Sequence, residues 1–202
     1  MIKAVVFDFG GVMTSTTMPE RVHEVVLKKG LPWQKVVELF GKYRLDYDGG
    51  FITLKEMYDK IWADAGVEVS AADRAEIEEA DSASWLYRNE KTLKWMRELK
   101  SAGYKIGILT NMAPSFAPLF YQHFPDYIEL ADALVISGLE HVTKPERRIY
   151  QLLRERIGLP ADELIFIDDV EKNCAGARAD GWRAIRFVSN AQVERDFDSC
   201  AY

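Results

Sequence analysis

Residues able to do chemistry stand where short apolar runs end. Asp8 follows Ala4-Val5-Val6-Phe7, Thr110-Asn111 follows Ile106-Gly107-Ile108-Leu109, and Asp168-Asp169 follows Leu164-Ile165-Phe166-Ile167. Ala133-Leu134-Val135-Ile136 runs into Ser137-Gly138, and Lys144 follows within the same connection. Taken singly, each has a plain structural use. Asp8 before Gly10-Gly11 can make a turn, Thr110-Asn111 can cap a helix, and Lys144 before Pro145 can be a solvated lysine. Asp168-Asp169 can cap the helix that follows, although two adjacent carboxylates repel each other and invite a cation. Together they amount to three carboxylates, one lysine and one hydroxyl, a set suited to a hard, oxygen-bound ion such as Mg²⁺. Zinc would call for cysteine or histidine ligands, and His23, His123 and His141 show no such grouping. A carboxylate beside a divalent cation, with lysine and threonine left to hold an anion, matches in-line attack on phosphorus.

These residues act together only if the fold brings the ends of their runs to one edge. The runs are near-continuously apolar, as expected of parallel strands covered on both faces, and Ala184-Ile185-Arg186-Phe187-Val188 supplies a fifth. Helical patterns separate them. Leu93, Met96, Leu99 and Ala102 precede Gly103, while Ile149, Leu152, Leu153 and Ile157 precede Gly158 and Pro160. Strands alternating with helices imply an α/β fold with a doubly wound parallel sheet and right-handed crossovers. In such sheets ligands bind beyond the carboxyl ends of the strands, near the point where strand order reverses.

One interval breaks the alternation. From about Pro19 to Ala80 the pattern is helical: Val22, Val25 and Val26 share one face, Leu54, Met57, Tyr58 and Ile61 another, and Ser70 with Asp73 starts a further helix. The expected organisation is an α/β core from residues 1–13 and 89–202 carrying a helical insertion at 14–88. Its hinges are expected at Thr14–Met18 and Ser82–Ser84. The aromatics Trp33, Phe40, Tyr43, Tyr47, Phe51, Trp62 and Trp85 are expected mainly to fill the core of the insertion, with some lining a pocket. Arg44 and Lys55 are candidates for a remote anion contact, without further support.

The bulk properties exclude little but are consistent. The chain has 202 residues, 48% hydrophobic and 29% charged, with a net charge of −6. That balance is ordinary for a soluble globular protein and disfavours nucleic-acid binding. Cys174 and Cys200 have no metal-type spacing and read as free thiols of a reducing compartment. No segment is long and apolar enough for a bilayer span, and Asp8 interrupts the N-terminal apolar run, so a cytoplasmic location is expected without a membrane partner. The oligomeric state is not encoded in any feature of the pattern.

The ordered set Val6-Phe7-Asp8-Phe9-Gly10-Gly11-Val12, Leu109-Thr110-Asn111, Lys144-Pro145 and Ile167-Asp168-Asp169 with Asn173 resembles the haloacid dehalogenase-like superfamily over nearly the whole chain. The insertion falls where that family places its type-one helical cap. The resemblance implies a Rossmann-like core and a magnesium-dependent phosphatase acting on a small phosphorylated metabolite through an aspartyl-phosphate on Asp8. It implies that Thr110, Lys144, Asn111 and the Gly11 amide hold the phosphoryl group. Asp8, the Gly10 carbonyl and Asp169 would bind Mg²⁺, with Asp168 acting largely through water and Asn173 supporting the nucleophile loop. The turn Asp48-Gly49-Gly50-Phe51-Ile52-Thr53 resembles the cap loop that points into the site.

Gly10 departs from the family pattern, which has a second aspartate two residues after the nucleophile. Glycine keeps the carbonyl but loses the general acid, worth about 10²–10⁴ in rate. Members close to the N-terminal domain of soluble epoxide hydrolase share this glycine. It leaves open a good leaving group, or a proton supplied by the cap or the substrate. A non-catalytic metabolite-binding or regulatory protein is the first alternative; a 2-haloacid dehalogenase is the second, disfavoured by the retained Asp168-Asp169 pair.

Overall fold

The computed structural model describes residues 1–14 and 18–200. Five strands form one parallel sheet in the order β3-β2-β1-β4-β5. They are β1 (Ala4–Phe7), β2 (Lys105–Thr110), β3 (Ala133–Ile136), β4 (Leu164–Asp168) and β5 (Arg183–Arg186). Why the runs are continuously apolar is plain from the packing. Val5, Phe7, Ile106, Ile108, Ile165 and Ile167 point into one core layer. Ala4, Val6, Leu109, Leu164 and Phe166 point into the other. Alternate residues thus face opposite layers, both of them dry.

Helices cover both layers. Four precede the second strand's own helix: α1 (Met18–Lys28), α2 (Trp33–Asp48), α3 (Leu54–Ala65) and α4 (Ala71–Ser84). The remainder are α5 (Glu90–Ser101), α6 (Ala117–His123), α7 (Pro125–Leu130), α8 (Ser137–Glu140), α9 (Arg147–Ile157), α10 (Glu171–Ala179) and α11 (Asn190–Cys200). The two glycine stops read from the sequence lie where α5 and α9 end, Gly103 and Gly158 having φ of +94° and +70°. Among the described residues no helix is long and apolar enough to cross a membrane.

Helices α1–α4 close on a core of their own, around Val22, Val26, Leu39, Met57, Tyr58, Ile61, Trp62 and Ile77. Ser70 caps α4 by accepting from the Asp73 amide. Thr53 and Glu56 form a reciprocal capping box at α3. The segments leading to and from these helices are stitched together: Asn89 donates to the carbonyls of Met13 and Val12, and Tyr127 Oη donates to Met13 and Asn89.

Two expectations need correction. Ser82–Ser84 is no hinge, because it lies inside α4, where the buried Ser84 hydroxyl donates to the Asp81 carbonyl of the same helix. The other expected hinge, Thr14–Met18, falls partly outside the described residues. The last strand is β5, Arg183–Arg186, rather than residues 184–188; Phe187 still donates its amide to Asp168, but Val188 is turned to solvent.

Sheet packing leaves no room at Gly107. A Cβ there would stand 3.0 Å from Val6 Cγ2 and 3.2 Å from Leu153 Cδ2. Gly107→Ala is expected to overpack this layer at a cost of about 1–3 kcal/mol, lowering Tm by several degrees. Thermal unfolding measures it; an unchanged Tm would show that α9 yields freely.

Candidate active site

The turn after β1 is wide, Phe9–Met13, and closes with the Thr14 amide donating to the Phe9 carbonyl. It projects Asp8 past the sheet edge, and the Phe9 amide donates to Asp8 Oδ1 at 2.7 Å. β1 lies between β2 and β4, which feed the two halves of the sheet, so Asp8 emerges where strand order reverses.

Lys144 organises the site. Its fully buried ammonium lies 2.8 Å from Asp8 Oδ1 and 2.7 Å from Asp168 Oδ2, and donates to the Leu109 carbonyl at 3.1 Å. Burial opposes its charge, but Asp168 and Asp8 outweigh burial and hold its pKa above the ordinary lysine value. Asn111 fixes the Lys144 backbone from both sides, accepting from its amide at 2.8 Å and donating to its carbonyl at 3.1 Å.

Asp168 is saturated. Both its oxygens accept from Asn173 Nδ2 at 3.1 Å, Oδ1 accepts from the Val170 amide, and Oδ2 faces Lys144. Asn173 therefore orients Asp168 rather than touching the nucleophile turn. Asp169 makes no ion pair among the described residues, and its carboxylate lies against Gly11, where a Cβ would come within 2.6 Å of Oδ2. At Gly11 the φ of +74° favours glycine, and a Cβ would push the Asp169 carboxylate aside.

Carboxylate oxygens of Asp8, Asp168 and Asp169 lie within 4.8 Å of one another. Burial, reinforced by Asp168, raises the pKa of Asp169; burial also raises Asp8 well above the carboxylate range, with Lys144 only partly opposing. One lysine leaves three carboxylates undercompensated, so this donor set fits a hard divalent cation.

The structure brings Asp8, Gly10, Asn111, Lys144, Asp169 and Asn173 to one cavity of about 230 Å³. Thr110 is buried at the end of β2, beside this group but outside the cavity lining. The Gly11 amide faces inward to Thr14 Oγ1, at 3.4 Å. Cys174 and Cys200 are free, burial pushing the Cys174 thiol up to about 12. His23 packs on Trp33 and His141 meets the Gly49 carbonyl.

The helices α2 and α4 complete the cavity with Phe40, Arg44, Tyr47, Asp48, Asp81, Ser82 and Trp85. Of the candidate aromatics, Phe40, Tyr47 and Trp85 line it, Trp62 is buried among the helices, Trp33 and Tyr43 flank that core, and Phe51 is exposed. Lys55 pairs with Asp59 on the surface. Arg44 Nε donates to both oxygens of Asp48, at 2.8 and 2.9 Å. The turn after α2 is docked on the core: Ser137 Oγ donates to the Asp48 carbonyl at 2.6 Å, and Tyr47 Oη meets Ser115 Oγ at 3.1 Å.

The charge arrangement has a measurable consequence. An acid whose folded pKa is raised favours the folded state at low pH, and that advantage is lost as pH climbs from the unfolded to the folded value. Metal-free Asp8→Asn is thus expected to melt above the parent at pH 8, the gap closing as pH falls. Magnesium should reverse the order, since at 100 times its Kd it stabilises the parent by about 2.7 kcal/mol. A variant that melts lower at every pH without metal would show that ionised Asp8 is a net stabilising partner of Lys144.

Comparison with known proteins agrees with this geometry. The family described as haloacid dehalogenase-like hydrolase matches residues 2–181. A phosphatase of Mycobacterium tuberculosis is 26% identical over 98% of this chain and 94% of its own. A sesquiterpene phosphatase of Aspergillus oryzae is 28% identical over 89% and 86%. A haloacid dehalogenase family enzyme of Bacteroides thetaiotaomicron, solved with magnesium and inorganic phosphate, superposes with a TM-score of 0.69 at 25% identity, covering 92% of this chain and 94% of that one. The sheet, the strand-end carboxylates and the match across most of the chain place this protein in the haloacid dehalogenase-like hydrolase family.

Proposed function

We propose that the protein is a magnesium-dependent phosphatase of a small phosphorylated metabolite, with Asp8 as the phosphoryl acceptor. The single observation that carries this is the position of Asp8: within 2.8 Å of a buried ammonium, in a three-carboxylate cluster, lining a cavity between the sheet edge and the helices. Magnesium held by Asp8, Asp169 and the Gly10 carbonyl would supply the charge that neutralises an incoming phosphoryl group. Lys144 holds Asp8 in one rotamer and offers its ammonium to a phosphoryl oxygen. Asn111 keeps Lys144 in place, and Asn173 with Asp168 sets the height of the ammonium. Thr110, buried at the end of β2, would donate its hydroxyl to the phosphoryl group. The turn at Asp48 is docked on the core beside the cavity through Ser137.

The names of the similar phosphatases from M. tuberculosis and A. oryzae support hydrolysis of a phosphoester, as does the phosphate bound to the Bacteroides relative. Gly10 is the feature that favours the non-catalytic reading, since no side chain follows Asp8 to protonate a leaving group.

Phosphate release from a panel of phosphorylated metabolites, with and without Mg²⁺, decides between them. Magnesium-dependent release is expected, lost by roughly 10³-fold or more in Asp8→Asn and requiring more magnesium in Asp169→Asn. Turnover that survives Asp8→Asn would remove Asp8 from the mechanism.

A further inference from the structure

In such a phosphatase the leaving group must sit between Asp8 and the helices above it. That half of the cavity is walled by Phe40, Tyr47, Trp85, Met112 and Phe116. Within the wall, Trp85 Nε1 donates to Asp81 Oδ1 at 3.2 Å, and the Arg44 guanidinium lies 4.9, 5.1 and 5.4 Å from the ring centroids of Trp85, Phe40 and Tyr47. Arg44 Nε is taken by Asp48, while its Nη1 is buried 3.9 Å from Asp81 without a hydrogen-bond partner. An anionic leaving group here would meet two carboxyl groups, Asp48 and Asp81, beside one guanidinium. A cationic one would find these ring faces already serving Arg44.

Gly10 belongs to the same wall. A Cβ at that position would come within 3.2 Å of Trp85 Cζ3, so the indole stands where a side chain two residues after the nucleophile would project. The missing acid and the aromatic wall are thus two aspects of one arrangement. The volume is consistent: about 150 Å³ of apolar cavity holds a benzene ring, and about 230 Å³ holds a ring with a phosphoryl group.

From this arrangement, and resting on the phosphatase reading, we infer that the substrate is an aryl phosphate, the monoester of a phenol-type hydroxyl on a flat, uncharged ring. A phenol ionises near pH 10, against about 16 for water, so its oxygen departs without a protonating side chain. Asp8 forms the bond to phosphorus while the phosphorus–oxygen bond to the ring breaks, and the electron pair leaves on the phenolate. Water then attacks the aspartyl-phosphate, releasing the Asp8 carboxylate and dihydrogen phosphate, which carries the proton; the phenolate takes its proton from solvent.

The test compares kcat/KM for phenyl, benzyl and cyclohexyl phosphates, an aldose 1-phosphate, phosphocholine and acetyl phosphate, all with Mg²⁺ and with Asp8→Asn as blank. Phenyl phosphate is expected to exceed benzyl phosphate, which keeps the ring but leaves as an alkoxide, by tenfold or more. It should exceed the aldose phosphate and phosphocholine by similar factors. Trp85→Ala should lower the phenyl-to-acetyl phosphate ratio at least tenfold, mainly through KM for the aryl ester, and Trp85→Phe should restore part of it. Phe40→Leu thins the same wall and should lower the ratio in the same direction should Trp85→Ala not fold. If aldose phosphate, phosphocholine or benzyl phosphate matches phenyl phosphate, or the ratio survives both wall variants, the aryl assignment is overturned while the phosphatase stands. If none of the compounds is turned over, the phosphatase reading falls and takes the assignment with it.

Discussion

A lysine ammonium with no access to solvent, clamped between Asp8 and Asp168, is the interaction on which the rest of the structure depends. Burying such a charge is tolerable only when its partners are fixed. The surroundings are organised accordingly. Asn111 holds the lysine backbone, the Leu109 carbonyl takes a proton of the ammonium, and Asn173 with the Val170 amide holds Asp168. Asp8, Leu109, Asn111 and Asp168 lie at or just beyond strand ends, whereas Asn173 stands in the first turn of α10. The parallel register of β1 with β2 and β4 is what brings them within reach of one ammonium.

The same constraint shapes the helical side. With three carboxylates and one lysine at the floor, the cavity is starved of positive charge, and its upper wall does not relieve this because Arg44 is neutralised by Asp48. Burial raises the pKa of both Asp48 and Asp81, with Arg44 opposing in each case. Such a cavity has negative charge to spare for a cation at its floor, and aromatic faces beside the Arg44, Asp48 and Asp81 group above. The Asp48–Gly50 turn is docked on the core beside it. A Cβ at Gly50, where φ is +72°, would meet the Gly138 carbonyl at 2.7 Å, and one at Gly138 would meet Pro114 Cδ at 2.4 Å. Glycine at 50 thus lets the turn approach the Gly138 backbone, and glycine at 138 lets that backbone pack on Pro114 and the Met112 carbonyl.

The floor of the site was legible in the sequence because its chemistry sits at strand ends, where an apolar run stops at a charged residue. Asp8, Asn111, Lys144 and Asp169 needed no more than the alternation of strands and helices to be placed together. The upper wall was not legible. Arg44 with Asp48, and Asp81 with Trp85, are spaced i,i+4 on two different helices, and each pair alone looks like a solvated helical face. Only the packing of α2 and α4 on a common core turns them inward. Ser82–Ser84 misled for a related reason: small polar residues mark linkers by composition, yet here the serine hydroxyl is satisfied within the helix. The Thr53–Glu56 capping box and the Ser70–Asp73 cap are both written in the local sequence, since each needs only residues three apart.

The central claim, that Asp8 accepts a phosphoryl group, is tested most directly by acid quench on the millisecond scale followed by peptide mass spectrometry. The account predicts a phosphoryl adduct on the peptide carrying Asp8, formed only with Mg²⁺ and decaying as inorganic phosphate appears. Phosphate released at the same rate with no adduct at any time, or an adduct on another residue, would contradict it.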